Sequence, residues 1–148
     1  MDDSTSSPEA SSIHVSSSNT HKTILVVEDD AFLREIYLDT LKRGGYTVDI
    51  AVDGDEGYEK IKKGRYDLIL LDIIMPKKDG LQVMRMLQTD PSFKLNAPVV
   101  FLTNLDNDAE IKQALQLGKG YLIKSQMTPA DLLKEVKMYL MPADSQSS

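Results

Sequence analysis

Residues 24–30 of the chain read Ile-Leu-Val-Val-Glu-Asp-Asp, an apolar run that ends in three acids. The run is short and rich in branched aliphatic residues, which is typical of a strand buried on both faces of a parallel sheet. Residues 68–71 and 121–123 are similar runs, and they end at Asp72 and Lys124. In open α/β sheets, ligands bind just outside the carboxyl ends of the strands. We therefore expect the ionisable groups that follow these runs to meet in one crevice.

The acids at this crevice predict a cation site. The carboxylates of Glu28, Asp29 and Asp72 would repel one another unless a hard cation lay among them. Mg²⁺ prefers a few carboxylate oxygens completed by water. The positive charge of Lys124 at the same edge suits a phosphate group, so the pattern predicts a site for magnesium and phosphate.

Each of these residues also has a simpler interpretation. The acids at 28–30 could cap a helix that begins at Ala31. A single Thr at a strand end, such as Thr103, is usually structural, and a single Lys there is usually a solvated charge. These residues gain a functional meaning only from their shared position at one edge of a sheet.

Strand-like and helix-like patterns alternate five times along the chain, which predicts the fold. Short crossovers of this kind force parallel pairing with right-handed connections. The predicted fold is α/β, a doubly wound parallel sheet with a flavodoxin-like strand order. The predicted strands cover residues 23–27, 46–51, 66–71, 98–103 and 121–123, and the predicted helices cover 31–43, 55–63, 80–89, 107–117 and a last segment that begins at Pro129 after the N-cap Thr128.

Composition limits the functional classes. The 148 residues include no cysteine, which excludes disulfides, thiol nucleophiles and thiolate metal sites. The formal net charge is -6, but all 17 Lys and Arg lie between residues 22 and 141, where the charge is nearly balanced. We expect no direct nucleic-acid binding. The sequence contains no secretory signal and no run of membrane-spanning length, so we expect a cytoplasmic protein without membrane insertion.

The two ends differ in composition from the middle of the chain. Residues 1–21 and 142–148 are mostly Ser, Thr, Asp and Pro, with too little apolar surface to offset the entropy of ordering them. We expect two disordered tails around a folded region at 22–141. His14 and His21 fall in the first tail and are interpreted as solvated residues rather than metal ligands.

Four segments together resemble the receiver domain of two-component response regulators. They are ILVVEDD (24–30), DLILLDIIMPKKDG (67–80), VVFLTN (99–104) and GYLIK (120–124), in that order. The resemblance covers residues 22–141 and implies a five-stranded sheet of order 2-1-3-4-5. It also implies that Asp72 accepts the phosphoryl group of a histidine kinase or a phosphotransfer protein.

The resemblance assigns roles to individual residues around Asp72. Glu28 and Asp29 match the acidic pair that holds Mg²⁺, with Asp29 as the direct ligand, Glu28 acting through water and the backbone carbonyl of Ile74 as a further ligand. Thr103 and Lys124 would cover phosphoryl oxygens. These roles suit the chemistry, because an ionised carboxylate can attack phosphorus with little help from a general base.

The same resemblance implies a switch. A hydroxyl on the fourth strand, here Thr103, would move toward the phosphoryl group, and an aromatic residue on the fifth strand, here Tyr121, would turn inward. The face formed by the fourth helix, fifth strand and fifth helix would then change shape. A tyrosine taken alone at Tyr121 is equally well explained as an edge-strand residue packed on a helix.

Four residues depart from the family pattern. Ser125 follows Lys124 where receivers usually have proline, and Asn104 replaces the small residue that usually follows the threonine. Ile74 and Leu105 occupy the positions that tune loss of the phosphoryl group. Neither side chain can orient an attacking water by hydrogen bonding, so we predict slow intrinsic dephosphorylation.

The expected function is that of a stand-alone receiver, since few residues follow the last helix. Its catalysis would be limited to promoting its own phosphorylation and dephosphorylation, and it would act on a downstream protein target or as a relay. Dimerisation through the fourth-helix to fifth-helix face is left open. Two alternatives remain: a phosphorylation-independent adaptor with the same fold, and an enzyme, either a flavodoxin or an aspartyl phosphatase. The enzyme is disfavoured because acids follow the first strand where a flavodoxin has a phosphate loop, and because Asp72 lacks a phosphatase's paired aspartate.

Overall fold

Five strands alternate with five α-helices in the computed structural model, which describes residues 22–104 and 108–141. The strands form one parallel sheet in the order β2-β1-β3-β4-β5. This confirms the predicted α/β doubly wound fold and its strand order. The elements are β1 (Thr23–Val27), α1 (Ala31–Arg43), β2 (Thr47–Ala51), α2 (Gly54–Lys63), β3 (Leu68–Asp72), α3 (Gly80–Gln88), β4 (Val99–Thr103), α4 (Asp108–Leu117), β5 (Gly120–Ile123), a 3₁₀ turn (Lys124–Gln126) and α5 (Pro129–Leu140).

The core lies in two layers, one on each face of the sheet. Successive strand residues point to opposite faces, so Val27, Leu71 and Phe101 join one buried cluster while Val26 and Leu70 join the other. All residues of β3 and β4 are buried. Burial of each such aliphatic side chain contributes about 1.5 to 3 kcal/mol. The apolar runs of β1 and β3 therefore lie in the centre of the sheet, as predicted.

The two edge strands are more exposed than the central ones. β2 pairs only with β1, and four of its five residues are at least partly exposed, as expected for the first strand of the order 2-1-3-4-5. β5 forms the other edge, and residues 121–123 are half-buried. The prediction that this run is buried on both faces was wrong. An edge strand has a neighbouring strand on one side only, and the open side leaves its residues partly accessible to solvent.

The helix starts are fixed by side chains at the carboxyl edge of the sheet. Asp30, Asp53 and Asp79 each accept a hydrogen bond from a backbone N–H in the first turn of α1, α2 and α3. Thr128 and Asp131 form a capping box at α5, which confirms the predicted N-cap. No helix in the described part of the chain has the length and apolar character to cross a membrane.

The two predicted tails, residues 1–21 and 142–148, lie outside the described residues, and so do His14, His21 and Leu105.

Candidate functional site

Three carboxylates meet at the carboxyl edge of the sheet. β1 and β3 are neighbours in the sheet, so Glu28 after β1 lies beside Asp72 at the end of β3. Glu28, Asp29 and Asp72 each offer one oxygen, and these three oxygens lie within 4.8 Å of one another. Glu28 and Asp72 are buried, whereas Asp29 is exposed. The structure therefore brings the predicted acidic cluster together.

Lys124 reaches this cluster from the end of β5. Its Nζ lies 2.9 Å from Glu28 Oε1 and 3.0 Å from Asp72 Oδ2, and its side chain is only 5% exposed. The peptide bond between Lys124 and Ser125 is trans, as are the other peptide bonds of the described residues. The ammonium group thus bridges the two buried carboxylates.

Burial controls the ionisation of Asp72. It raises the pKa of the Asp72 carboxyl to about 8, the nearby charge of Glu28 acts in the same direction, and the Lys124 ammonium opposes both. Burial alone would lower the pKa of Lys124, but its contacts with Glu28 and Asp72 outweigh that effect and raise the pKa. Lys124 remains charged, and its single charge does not fully compensate the carboxylates around it.

The residues of the cluster fit a divalent cation. Asp72 Oδ1 is buried and accepts no hydrogen bond from any described residue. A buried acceptor without a partner costs about 1 to 3 kcal/mol, which a bound cation would offset. Both oxygens of Glu28 are engaged, since Oε1 accepts from Lys124 and Oε2 accepts from Asp30 N at 3.0 Å. Asp72 Oδ1 and the exposed Asp29 carboxylate are therefore the atoms best placed for direct ligation.

Thr103 is the last residue of β4, the strand next to β3, and it is buried. Tyr121 lies in β5 opposite Phe101 and packs, partly buried, against the core layer that contains Phe101. Ile74 follows β3 and is 56% exposed, and Asn104 is also exposed. Thr103 and Asn104 thus lie at the carboxyl edge of the sheet, where the sequence predicted them.

Two residues support the site without a sequence signal that we recognised. Arg34, on the first turn of α1, donates from Nη1 to the backbone oxygens of Glu28 at 2.9 Å and Asp29 at 3.3 Å. Gly80 begins α3 so close to β3 that a Cβ at this position would lie 2.3 Å from the Asp72 backbone oxygen. Arg34 fixes the acidic loop, and Gly80 allows α3 to start against the end of β3. Both roles depend on contacts between elements, which local patterns do not reveal.

Paired lysines and aspartates join the neighbouring loops. Lys78 Nζ lies 2.5 Å from Asp55 Oδ1, and Lys77 Nζ lies 3.2 Å from Asp53 Oδ2. These ion pairs link the second half of the loop after β3 to the start of α2.

The family profile described as response regulator receiver domain matches residues 24–137. The chain belongs to this family. The receiver is 36% identical over 115 residues to the transcriptional regulatory protein DltR of Streptococcus agalactiae, an alignment that covers 78% of this chain and 50% of DltR. It is 35% identical over 124 residues to the transcriptional regulatory protein ResD of Bacillus subtilis, covering 84% of this chain and 50% of ResD.

Solved structures show the same fold. The BeF3-activated N-terminal receiver domain of Klebsiella pneumoniae RstA is 31% identical, with a TM-score of 0.72, and the match covers 82% of this receiver and 100% of that chain. The chemotaxis response regulator CheY4 of Vibrio cholerae is 28% identical, with a TM-score of 0.72, and the match covers 80% of this receiver and 98% of that chain.

The chain spans about half the length of the curated relatives it matches. The part that they share with this chain is the receiver domain.

Proposed function

We propose that this receiver accepts a phosphoryl group on Asp72, from a histidine kinase or a phosphotransfer protein, in a Mg²⁺-dependent reaction. The observation that supports this best is the arrangement of Asp72: one carboxylate oxygen contacts Lys124 Nζ at 3.0 Å, and the other is buried without a hydrogen-bond partner among the described residues. Most buried side-chain oxygens have a hydrogen-bond partner, so the unpartnered oxygen of Asp72 calls for an explanation. Asp72 thus has an oxygen free to bind a cation, as a phosphoacceptor requires.

In the reaction, the phosphoryl group passes from the imidazole nitrogen of the donor to a carboxylate oxygen of Asp72. A carboxylate oxygen of Asp72 attacks the phosphorus atom, the bond between phosphorus and the donor's imidazole nitrogen breaks, and its electron pair returns to that nitrogen. The product is an acyl phosphate on Asp72. The carboxyl must be ionised to attack. Burial raises its pKa to about 8, which favours the protonated form, so the Lys124 ammonium and a bound Mg²⁺ would both be needed to favour the ionised form.

The charge of the phosphoryl oxygens requires positive groups around them. Mg²⁺ held by Asp29, Asp72, the backbone carbonyl of Ile74 and, through water, Glu28 would supply one such charge when bound. The Lys124 ammonium would bind a second oxygen, and the Thr103 hydroxyl would donate to a third. The receiver would catalyse only its own phosphorylation and dephosphorylation, and the apolar Ile74 side chain supports a slow loss of the phosphoryl group.

The phosphorylated receiver would act by changing a protein contact. Thr103 and Tyr121 lie on neighbouring strands, with Thr103 opposite Ile123 and Tyr121 opposite Phe101. Movement of Thr103 toward the phosphoryl group would let the Tyr121 ring turn inward and reshape the face of α4, β5 and α5. The phosphate shifts this equilibrium only as far as it contacts the two states differently.

Incubation with acetyl phosphate and Mg²⁺, followed by intact-mass measurement, tests the proposal. We expect one added phosphoryl group on the wild type and none on Asp72→Asn. Asp30→Asn is the matched control, because it removes a neighbouring carboxylate while asparagine can still cap α1. An unmodified wild type, or an Asp72→Asn protein that still gains the group, would overturn the proposal and favour a phosphorylation-independent adaptor.

A further inference from the structure

A long groove runs along the amino edge of the sheet, at the opposite end of the strands from Asp72. It consists of two adjoining cavities of about 370 and 510 Å³ that share residues 95–97. The first lies between the end of α2 and the loop before β4, and the second extends to Met141 at the end of α5. We call these two cavities the basal groove.

The basal groove is cationic although the chain as a whole is acidic, with a net charge of -6. No acid is among its lining residues, and its five cations are Lys62, Lys63, Arg65, Lys94 and Lys119. Lys62 pairs with Asp90 at 2.6 Å, and Lys63 lies 3.9 Å from Glu59. The other three cations pair with no acid among the described residues. Unpaired cations along one concavity favour an anionic occupant.

The floor of the basal groove is apolar. Phe93, Leu95 and Ala97 are partly buried and pack against the core layer below them. The Tyr66 ring forms one wall, and its hydroxyl donates to Asp49 at 2.7 Å, which fixes the ring. The groove therefore fits a peptide that carries acids together with some apolar side chains.

The N-terminal segment joins the described chain beside this groove. Thr23, the first residue of β1, donates from its backbone N to Asp67 Oδ2 at 2.7 Å and accepts from Asp67 N at 2.8 Å. Asp67 directly follows the groove residues Arg65 and Tyr66. The described chain thus begins at the edge that carries the basal groove.

The composition of that segment complements the groove. Residues 1–21 contain Asp2, Asp3 and Glu9, no Lys or Arg, and the apolar residues Ile13 and Val15. Extended chain reaches roughly 3.3 Å per residue, so a segment of this length can follow the whole groove. Because the segment is tethered, its effective concentration at the groove is on the order of millimolar, and weak contacts suffice for binding.

We propose that the basal groove binds the acidic N-terminal segment of the same chain, with Asp2, Asp3 and Glu9 facing the cations Arg65, Lys94 and Lys119. The docking site lies at the opposite end of the strands from Asp72.

Paramagnetic relaxation in the full-length protein tests this proposal. The chain has no cysteine, so Ser6→Cys provides a single attachment point for a nitroxide spin label. We expect several-fold stronger broadening of the amide signals of Tyr66, Leu95 and Ala97 than of Asp30 and Gly80 at the opposite edge. Broadening that is equal at the two edges would overturn the proposal.

Charge reversal separates docking from mere proximity of the attachment point. Arg65→Glu with Lys94→Glu should remove the preferential broadening, and so should about 1 M NaCl, where the Debye length falls to about 3 Å. Lys112→Glu with Lys134→Glu is the matched control, since it makes the same charge change on α4 and α5 and should leave the broadening intact. Persistence of the broadening in the first double variant would overturn the proposal.

A mixed sample identifies the source of the segment. Isotope-labelled protein without a spin label is combined with spin-labelled protein at natural isotope abundance. We expect no preferential broadening in this sample. Broadening as strong as in the singly labelled protein would show that a second copy supplies the segment, and the same-chain proposal would be wrong.

Discussion

Lys124 Nζ lies 3.0 Å from Asp72 Oδ2, although 52 residues separate them in sequence and β4 lies between their strands in the sheet. Both side chains are at most 5% exposed. The lysine stem must therefore cross the end of β4 to place its charge on the carboxylate. The contact gives the proposed phosphoacceptor a fixed cationic neighbour.

Replacing Lys124 should slow phosphorylation strongly. Lys124→Met removes one positively charged donor from the site, and loss of one such group typically lowers a rate by about 100- to 1,000-fold. The rate of mass gain with acetyl phosphate and Mg²⁺ measures the effect. Lys77→Met is the control, because Lys77 lies near the same edge but pairs with Asp53. A Lys124→Met protein that is phosphorylated at the wild-type rate would contradict the role assigned to Lys124.

Magnesium should stabilise the fold through Asp29. A ligand that binds only the native state adds about 2.7 kcal/mol to the free energy of unfolding at one hundred times its dissociation constant. Asp29→Asn should abolish most of this gain without loss of packing, since Asp29 is exposed. Urea denaturation over a Mg²⁺ series measures it, and Asp30→Asn should keep the gain. Equal gains in the two variants would rule out Asp29 as a ligand.

In metal-free buffer, Asp72→Asn should stabilise the fold. Burial raises the pKa of Asp72 to about 8, above its unfolded value of about 3.9, so the native state holds a proton that the unfolded state releases. The free energy of unfolding of the wild type therefore falls between about pH 4 and pH 8. At about pH 8 the free energy of unfolding of Asp72→Asn should exceed that of the wild type by about 1 to 3 kcal/mol.

Urea denaturation with EDTA at several pH values measures this difference. Asp39→Asn is the control, because the Asp39 side chain is 62% exposed and its loss should change the free energy of unfolding by less than about 0.5 kcal/mol. A gain for Asp72→Asn that is independent of pH would refute the explanation from burial.

A methyl group at Gly80 should disrupt the site. The added Cβ would lie 2.3 Å from the Asp72 backbone oxygen and 3.2 Å from Ile73 Cα, so α3 and the end of β3 must move apart. We expect Gly80→Ala to lower the free energy of unfolding by about 1 to 3 kcal/mol and to slow phosphorylation. Gln82→Ala, on the same helix and exposed, should change neither. Denaturation and the acetyl phosphate reaction give the two readouts.

The ion pair between Lys62, near the end of α2, and Asp90, just after α3, should be sensitive to acid. The Lys62 ammonium, together with Ser92, lowers the pKa of the Asp90 carboxyl to about 2. Since this value lies below the unfolded value of about 3.9, the stabilisation is complete above about pH 4 and is lost as the pH falls toward 2. Lys62→Met should raise the pKa of Asp90, and Lys63→Met should not. Carbon-13 NMR titration of the Asp90 carboxyl measures this pKa in each variant. An unchanged pKa in Lys62→Met would contradict the role assigned to Lys62.

Local sequence determined the elements of this protein. Runs such as residues 24–27 and 68–71 fix strands because their apolar residues are stable only when covered on both faces, and side chains such as Asp30 and Thr128 fix helix starts because they accept first-turn backbone N–H groups. Because parallel strands end at one edge of the sheet, the gathering of Glu28, Asp29, Asp72 and Lys124 also followed from the sequence.

Only the tertiary structure decided the contacts between distant elements. The Arg34 contacts with the acidic loop, the close approach of Gly80 to Asp72 and the basal groove all depend on how separate helices and strands pack. Periodicity in sequence reports which face of an element is apolar, but it carries no information on which neighbour covers that face. The distances within the site are set by packing, and the sequence alone leaves them open.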